Sequence, residues 1–386
     1  MRINIAMGFF LPVPPLAGGA TEKTWDGLAR EFAARGHEVT ILSRLWPDLP
    51  PAETRRGVRH LRLRGHAHTS SLPRNLWLDL LWSRRVGRAL PPADVTIVNC
   101  VALPVWLGWR RGGTGRLVVM PGRMPKGQYR LYRRVDRVLA VSSVVRDAVI
   151  AENPGLAPRI RVFGYPIDWT GLAGSPRTAA VGAPITVGYV GRLHREKGLD
   201  LLVAAASQLA TRQDLPAWRL LLCGPADVAR GGSGPEFAAG LLRRLGAALP
   251  PEKFRLLEPE FSEERLAAIY RQIDVFCYPS LAVHGETFGV AVIEAMATGA
   301  APVVSGLRNF ADFVRAGENG VVFDHAAPEA AGLLAEAVAG LVGDAARRVR
   351  LAAAAQASVR GYDFPRLAER LLADFSTLLP TADRQI

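Results

Sequence analysis

The 386-residue chain is about half apolar and carries a net charge of +13, a balance that suits two folded domains and excludes a disordered or low-complexity chain. No run approaches the ~20 consecutive apolar residues of a spanning helix. Cys100, Cys223 and Cys277 stand far apart in apolar contexts, which speaks against a disulfide framework or a zinc site and makes a reducing cytoplasm the expected compartment.

From the N-terminus, short apolar runs alternate with longer amphipathic ones, the pattern of parallel strands joined by helices. Met1–Met7 is too short for an export signal and reads as a first strand, Ile3–Met7. A Gly-rich loop, Pro12 to Glu22, opens a helix over Ala20–Arg35, with Trp25, Leu28, Ala29 and Phe32 at helical spacing and Gly36 as its stop. Strands follow at Glu38–Leu42, His60–Leu63, Val95–Asn99, Arg116–Met120 and Arg137–Val141. Arg74–Arg88 reads as an amphipathic helix that mixes Leu76, Trp77, Leu80, Leu81 and Trp82 with Arg84, Arg85 and Arg88. The Gly- and Pro-rich stretch from Gly164 to Pro184 is the expected boundary, giving an N-terminal domain of 1–172 and a second of 173–362.

The second half repeats the pattern, with strands at Thr186–Val190, Arg219–Cys223, Lys253–Leu257, Val275–Tyr278, Pro302–Ser305 and Gly320–Phe323. Asp227–Pro235 reads as a Gly-rich surface excursion. Residues 363–386 read as a terminal amphipathic helix built on Leu367, Leu371, Leu372 and Phe375. Two such open α/β sheets facing one another bind ligand between their strand ends.

The charge is unevenly placed. Residues 1–172 hold 26 Lys and Arg against 12 Asp and Glu, so the whole excess lies in the first half. Such a half suits a phosphate-bearing acceptor, an anionic membrane surface or nucleic acid, or it is simply a solvated Arg-rich surface. Two basic clusters interleave aromatics: Arg74–Arg88, and Arg123–Arg137 with Tyr129 and Tyr132. Arg beside Trp on one amphipathic helix fits an anionic interface, expected on the inner face of a membrane. No recognition helix or aromatic-basic strand pattern appears, so nucleic acid is not an expected partner.

Three segments carry chemistry. Gly285–Gly299 is almost wholly apolar after Glu286, and Glu294 is the single charge inside its helix. A carboxylate in such surroundings must meet donors, which a partnering side chain or the hydroxyls of a sugar or ribose can supply. Phe288, Gly289 and Val290 stand at the helix start, where free N–H groups suit a phosphate or sugar oxygen. Gly191–Gly198 follows a strand directly. It offers Arg192 as a planar fork and Lys197 as a compact charge beside glycines that let a diphosphate approach. In the first half, Gly18 and Gly19 open a helix N-terminus in a pattern unlike that of dinucleotide enzymes.

Together these segments resemble glycosyltransferase family 4 over nearly the whole chain. The resemblance spans the Gly-Gly loop, Gly36-His37-Glu38-Val39, Val141-Ser142-Ser143, the Gly191-Arg192 to Lys197-Gly198 run and Leu222-Cys223-Gly224-Pro225. It closes with Pro279-Ser280, the Glu286 to Glu294 segment and Gly317-Glu318-Asn319-Gly320. It implies a GT-B architecture of two Rossmann-like domains with the last helix packing back toward the N-terminal one. It also implies a nucleotide-sugar donor on the C-terminal domain, an acceptor on the other, retention at the anomeric carbon, and neither metal nor cofactor; with the basic N-terminal half, a glycan, lipid-linked or phosphorylated acceptor is expected. Arg192 and Lys197 match the diphosphate pair, Glu294 the ribose-holding residue and Glu286 the one near the donor hexose. The amides of Phe288, Gly289 and Val290 match those that reach the transferred sugar.

Two departures stand out. The acceptor-side His that often follows the strand at Arg116–Met120 is replaced by Pro121-Gly122-Arg123, leaving Arg123 or Lys126 as candidates there. The Gly-Gly expected after Ser305 is replaced by Leu307-Arg308-Asn309-Phe310 before Asp312. Glu258 follows the strand where the base is expected; a carboxylate accepts from guanine N1–H and N2–H, so GDP-mannose and a UDP-hexose both stand as donors. Hydrolysis or epimerisation of a nucleotide sugar on the same fold, or binding without catalysis, are the competing functions. A nicotinamide oxidoreductase requires a tighter Gly triplet and an acid ending the second strand, where Ser43-Arg44 stands instead.

Overall fold

Short β-branched and Leu-rich runs form the buried strands of two separate sheets. The computed structural model describes residues 1–16, 19–67, 69–109, 113–174 and 182–380. It divides into two compact units, one of Met1–Pro166 with the chain from Phe364 onward, the other Ile167–Asp363. Gly18 and residues 175–181 of the expected boundary lie outside the described residues.

In the first unit the strands are β1 (Arg2–Ala6), β2 (Glu38–Arg44), β3 (Ala52–Arg55), β4 (Val58–Leu63), β5 (Val95–Val98), β6 (Arg116–Val119), β7 (Arg137–Ala140) and β8 (Ile160–Val162). Among the described residues they order as β3-β4-β2-β1-β5-β6-β7-β8, parallel throughout except where β3 pairs antiparallel with β4. The central strands are buried on both faces, as parallel sheets require. The helices α1 (Ala20–Ala34), α2 (Leu72–Ala89), α3 (Leu103–Trp109) and α4 (Ser143–Glu152) cover it. Trp25, Leu28, Ala29 and Phe32 are the buried stripe of α1, and Gly36 ends it at a positive φ of 80°.

The second unit begins with α5 (Trp169–Ala173) and continues with β9 (Ile185–Val190), α6 (Leu199–Ala210), β10 (Trp218–Cys223), α7 (Pro235–Ala248) and β11 (Phe254–Leu257). Then come α8 (Glu263–Tyr270), β12 (Val275–Tyr278), α9 (Val290–Ala297), β13 (Ala301–Ser305), β14 (Val321–Phe323), α10 (Ala330–Val342) and α11 (Ala345–Val359). The sheet order β11-β10-β9-β12-β13-β14 is all parallel, so the chain reverses its direction of sheet growth between β9 and β12. That reversal point is where ligands sit in open α/β sheets. Asn319 builds the turn before β14: its side chain accepts from Arg315 N–H and donates to the Phe313 carbonyl.

The units divide at 166/167, not at the expected 172/173. Ile167 N–H donates to the Tyr362 carbonyl, Trp169 N–H to the Asp363 carboxylate, and α5 packs on α9. The last helix, α12 (Phe364–Ser376), lies against α1 in the first unit as the resemblance implied, burying Leu367, Leu371, Leu372 and Phe375. Phe375 meets Phe32 edge-on at 6.2 Å, and Asp374 takes the buried Arg137 guanidinium at 2.8 Å.

Candidate functional site

In the second unit, the loops after β9 and β12 meet at the reversal point. Gly198 has φ 68°, and a Cβ there would overlap the Pro279 carbonyl, so only glycine lets the two loops touch. Lys197 ends the short turn just before it and is buried; its ammonium donates to the Glu286 carboxylate at 2.6 Å. The Ser280 hydroxyl donates to the same carboxylate oxygen at 3.0 Å, and Ser305 in turn anchors the Ser280 carbonyl at 2.6 Å. Lys197 also lies 5.5 Å above the Tyr278 ring, which stacks on Tyr189 at 5.6 Å. Burial and then the charge of Glu286 push both phenols upward, while the charge of Arg192 acts on both in the opposite sense. Glu286 and Arg192 thus act on both rings of the pair, and Lys197 sits over one of them.

Arg192 is held as a fork, donating to the Gly231 carbonyl at 2.8 Å and to Glu196 at 2.9 Å. Asp227–Pro235 is a surface segment as expected, exposed at 227–230, and its second half also folds back onto the site loop. Ser233 accepts from Arg195 N–H and donates its own N–H to the Leu193 carbonyl. Gly191 follows β9 at φ 155°, with its N–H on the Cys223 carbonyl.

Past Glu286, Phe288 is fully buried against Phe313 and Tyr362. Gly289, at φ 108°, heads α9, and a Cβ there would crowd Phe310. The amides at Gly289 and Val290 begin a helix and have no carbonyl one turn earlier in the same helix to bond. Asn309, buried, donates to the Phe288 carbonyl at 2.8 Å, so the residues that replace the expected Gly-Gly lock the start of α9. Glu294 is buried about one turn into α9 and accepts the Tyr270 hydroxyl at 2.9 Å. Rings at 5.9 and 6.0 Å link Tyr270 through Phe276 to Tyr278, tying both carboxylates to one aromatic wall. Glu258 is exposed at the end of edge strand β11, two strand spacings, or about 10 Å, from β9.

The sequence missed Tyr270 and the role of Ser280. Neither stands in a recognisable spacing with its partner, and a Tyr ending a helix has no local mark of function.

In the first unit, Gly19 caps α1 and the loop Pro121-Gly122-Arg123 follows β6. The Tyr165 hydroxyl reaches the Gly122 carbonyl at 3.5 Å. Glu22, in the first turn of α1, is buried; burial raises its carboxyl, opposed by its own backbone amide and by the charge of Arg123. The structure therefore puts Arg123 beside Glu22 and α1. Lys126 is exposed, with its backbone bonded to Gln128.

The two basic-aromatic clusters need correcting. Trp82 is fully buried and donates to the Met7 carbonyl, and Tyr129 and Tyr132 form a buried edge-on pair. Trp77 is the exposed aromatic of α2, joined by Trp106 from α3 and by Leu131.

The family model described as Glycosyltransferase Family 4 matches residues 18–168, and that described as Glycosyl transferases group 1 matches 176–358. The GDP-mannose-dependent alpha-mannosyltransferase of Mycobacterium tuberculosis is 28% identical over 98% of this chain and 97% of that protein. The D-inositol 3-phosphate glycosyltransferase of Corynebacterium efficiens is 32% identical over 51% of this chain, which spans 44% of that relative's length. Sucrose-phosphate synthase from Thermosynechococcus elongatus has the same fold, with a TM-score of 0.73 at 21% identity over 98% of this chain and 99% of that one. The chain belongs to family 4 of the glycosyltransferases, built on the GT-B fold.

Proposed function

We propose that this protein is a retaining hexosyltransferase that moves a sugar from a nucleoside diphosphate to a glycan, lipid-linked or phosphorylated acceptor in cell-surface polysaccharide or glycolipid synthesis. The observation that carries the proposal is the buried pair of Lys197 and Glu286 at the reversal point of the second sheet. Lys197 and Arg192 neutralise the charge that develops on the departing diphosphate, work that fixed cations do well in a site closed to water. Glu286 and the amides of Phe288, Gly289 and Val290 hold the donor hexose, and Glu294 holds the ribose hydroxyls. The bond from the anomeric carbon to the diphosphate breaks with its electrons leaving on the phosphate oxygen. The acceptor hydroxyl then attacks the same face and gives its proton to the departing phosphate oxygen, and configuration is kept. Arg123, beside Glu22, belongs to the acceptor side.

The printed name of the mycobacterial relative supports a GDP-sugar donor, and Glu258 supplies a carboxylate suited to guanine. Nucleotide release should be measured with GDP-mannose and UDP-hexoses in parallel, with and without candidate acceptors, and the product anomer assigned by NMR. Acceptor-dependent release with a retained anomer is the expected result. Equal release without acceptor points to a hydrolase, and an inverted product ends the retaining mechanism. Release from UDP-hexoses alone removes the guanine assignment.

A further inference from the structure

Each of the two cations assigned to the diphosphate holds a carboxylate of its own. Lys197 meets Glu286 at 2.6 Å, with side chains 6% and 9% exposed, and Arg192 meets Glu196 at 2.9 Å, with side chains 42% and 33% exposed. The four charges cancel. A diphosphate added to them leaves negative charge uncompensated unless one carboxylate withdraws.

Glu286 is held in place. It lies under Lys197 and Ser280, and separating a buried pair strands a charge away from water. Glu196 is free to swing, because its backbone and its carboxylate are held by different means. Its carbonyl takes the Leu281 N–H at 2.7 Å and its own N–H goes to His194 Nδ1 at 3.2 Å, so the main chain is tied on both sides. His194 accepts in that bond, which leaves Nδ1 no proton for the carboxylate 3.7 Å away. What holds the side chain is its exposed pair with Arg192, and such pairs are weak. Arg192 does not follow it. Its Nη1 donates to the Gly231 carbonyl at 2.8 Å, and Gly231, at φ 81°, packs so closely that a Cβ there would stand 2.9 Å from Nη1.

We infer that Glu196 is a displaceable counter-ion: its carboxylate holds Nη2 of Arg192, yields it to the diphosphate of the donor, and takes it back as the nucleoside diphosphate departs. The inference rests on the assignment of Arg192 to the diphosphate under the proposed function. It gives Glu196 an effect opposite in sign to that of a residue that orients Arg192. A carboxylate that competes with the ligand weakens binding and hastens release, whereas one that orients the guanidinium strengthens binding.

Binding of GDP and of UDP to the full-length protein should be measured by titration calorimetry at low salt, for wild type and for Glu196→Gln, which keeps the shape and removes the charge. The nucleotide that binds should bind the variant about fivefold more tightly. That gain should shrink at about 1 M salt, where exposed charges are screened. It should vanish when Arg192→Gln is present in both proteins, because Glu196 acts through that guanidinium. Glu336→Gln controls for net charge: Glu336 pairs with Arg212 beyond the far end of α6, a helix about 18 Å long that begins beside Glu196, and its loss should leave affinity unchanged. Equal or weaker binding by Glu196→Gln overturns the inference, as does a gain that survives Arg192→Gln or is matched by Glu336→Gln. If neither nucleotide binds wild type or variant, the donor-site reading itself fails, and this inference with it.

Discussion

Lys197 and Glu286 are sealed from water together, and each is the compensation for burying the other. Removing one partner of such a pair costs about 3–5 kcal/mol, whereas replacing both by apolar residues of similar volume is often neutral. Lys197→Ala should therefore lower unfolding stability in urea by that amount and cut turnover by about a thousandfold. Lys197→Met with Glu286→Leu should restore the stability and leave turnover lost. A double variant that recovers activity sinks the catalytic assignment. Tyr270 acts through Glu294, so it is a positioning residue. A hydrogen bond to a charged group is worth about 1.5–3 kcal/mol, and Tyr270→Phe should raise the donor KM about tenfold or more while kcat changes little. A fall in kcat alone would place the effect elsewhere. In the other unit, burial and next the charge of Arg62 bring His60 down to about 4. The folded state thus favours neutral His60. Its stability is whole above the unfolded pKa near 6.5, declines as pH falls toward 4, and declines no further below that. Thermal midpoints across this window should drop more steeply in wild type than in His60→Leu; parallel curves would discount His60.

At the scale of elements, a few glycines decide how closely the site loops approach. Gly198→Ala should destabilise by about 2 kcal/mol or more, since left-handed strain adds to overlap with the Pro279 carbonyl. Gly317 has φ 78° with open space around it, so Gly317→Ala should cost only about 1 kcal/mol. Similar losses in a denaturant comparison would remove the loop-contact explanation. Most strands were legible because a strand buried on both faces reads as a continuous apolar run. β3 was not: Ala52–Arg55 reads Ala-Glu-Thr-Arg on an exposed edge, with no apolar pattern to find. β8 is three residues long and was equally silent. The candidate site was legible where chemistry follows spacing, at Arg192, Lys197, Glu286 and Glu294. It was not legible where partners come from distant elements, as Tyr270 does from α8 and Ser280 from the end of β12. Within α2 the composition was legible but not which ring turns inward; Trp82 is buried and Trp77 exposed.

For the molecule as a whole, the chain passes from the first unit to the second at Pro166 and returns at Phe364, and α12 completes the core begun by α1. On the second unit's side, Ile167 and Asp363 form a parallel bridge, so the two ends of that unit lie clasped side by side. Residues 167–363 are in effect a cassette spliced into a host, and neighbouring ends are what make a segment portable. A gene for that cassette alone should yield a cooperatively melting protein whose midpoint rises when a nucleoside diphosphate is added. The complementary protein, with Pro166 joined to Phe364 through a short flexible spacer, should fold around its own α12 and show no such rise. A cassette that is unfolded by circular dichroism would mean that the clasp cannot hold without the host.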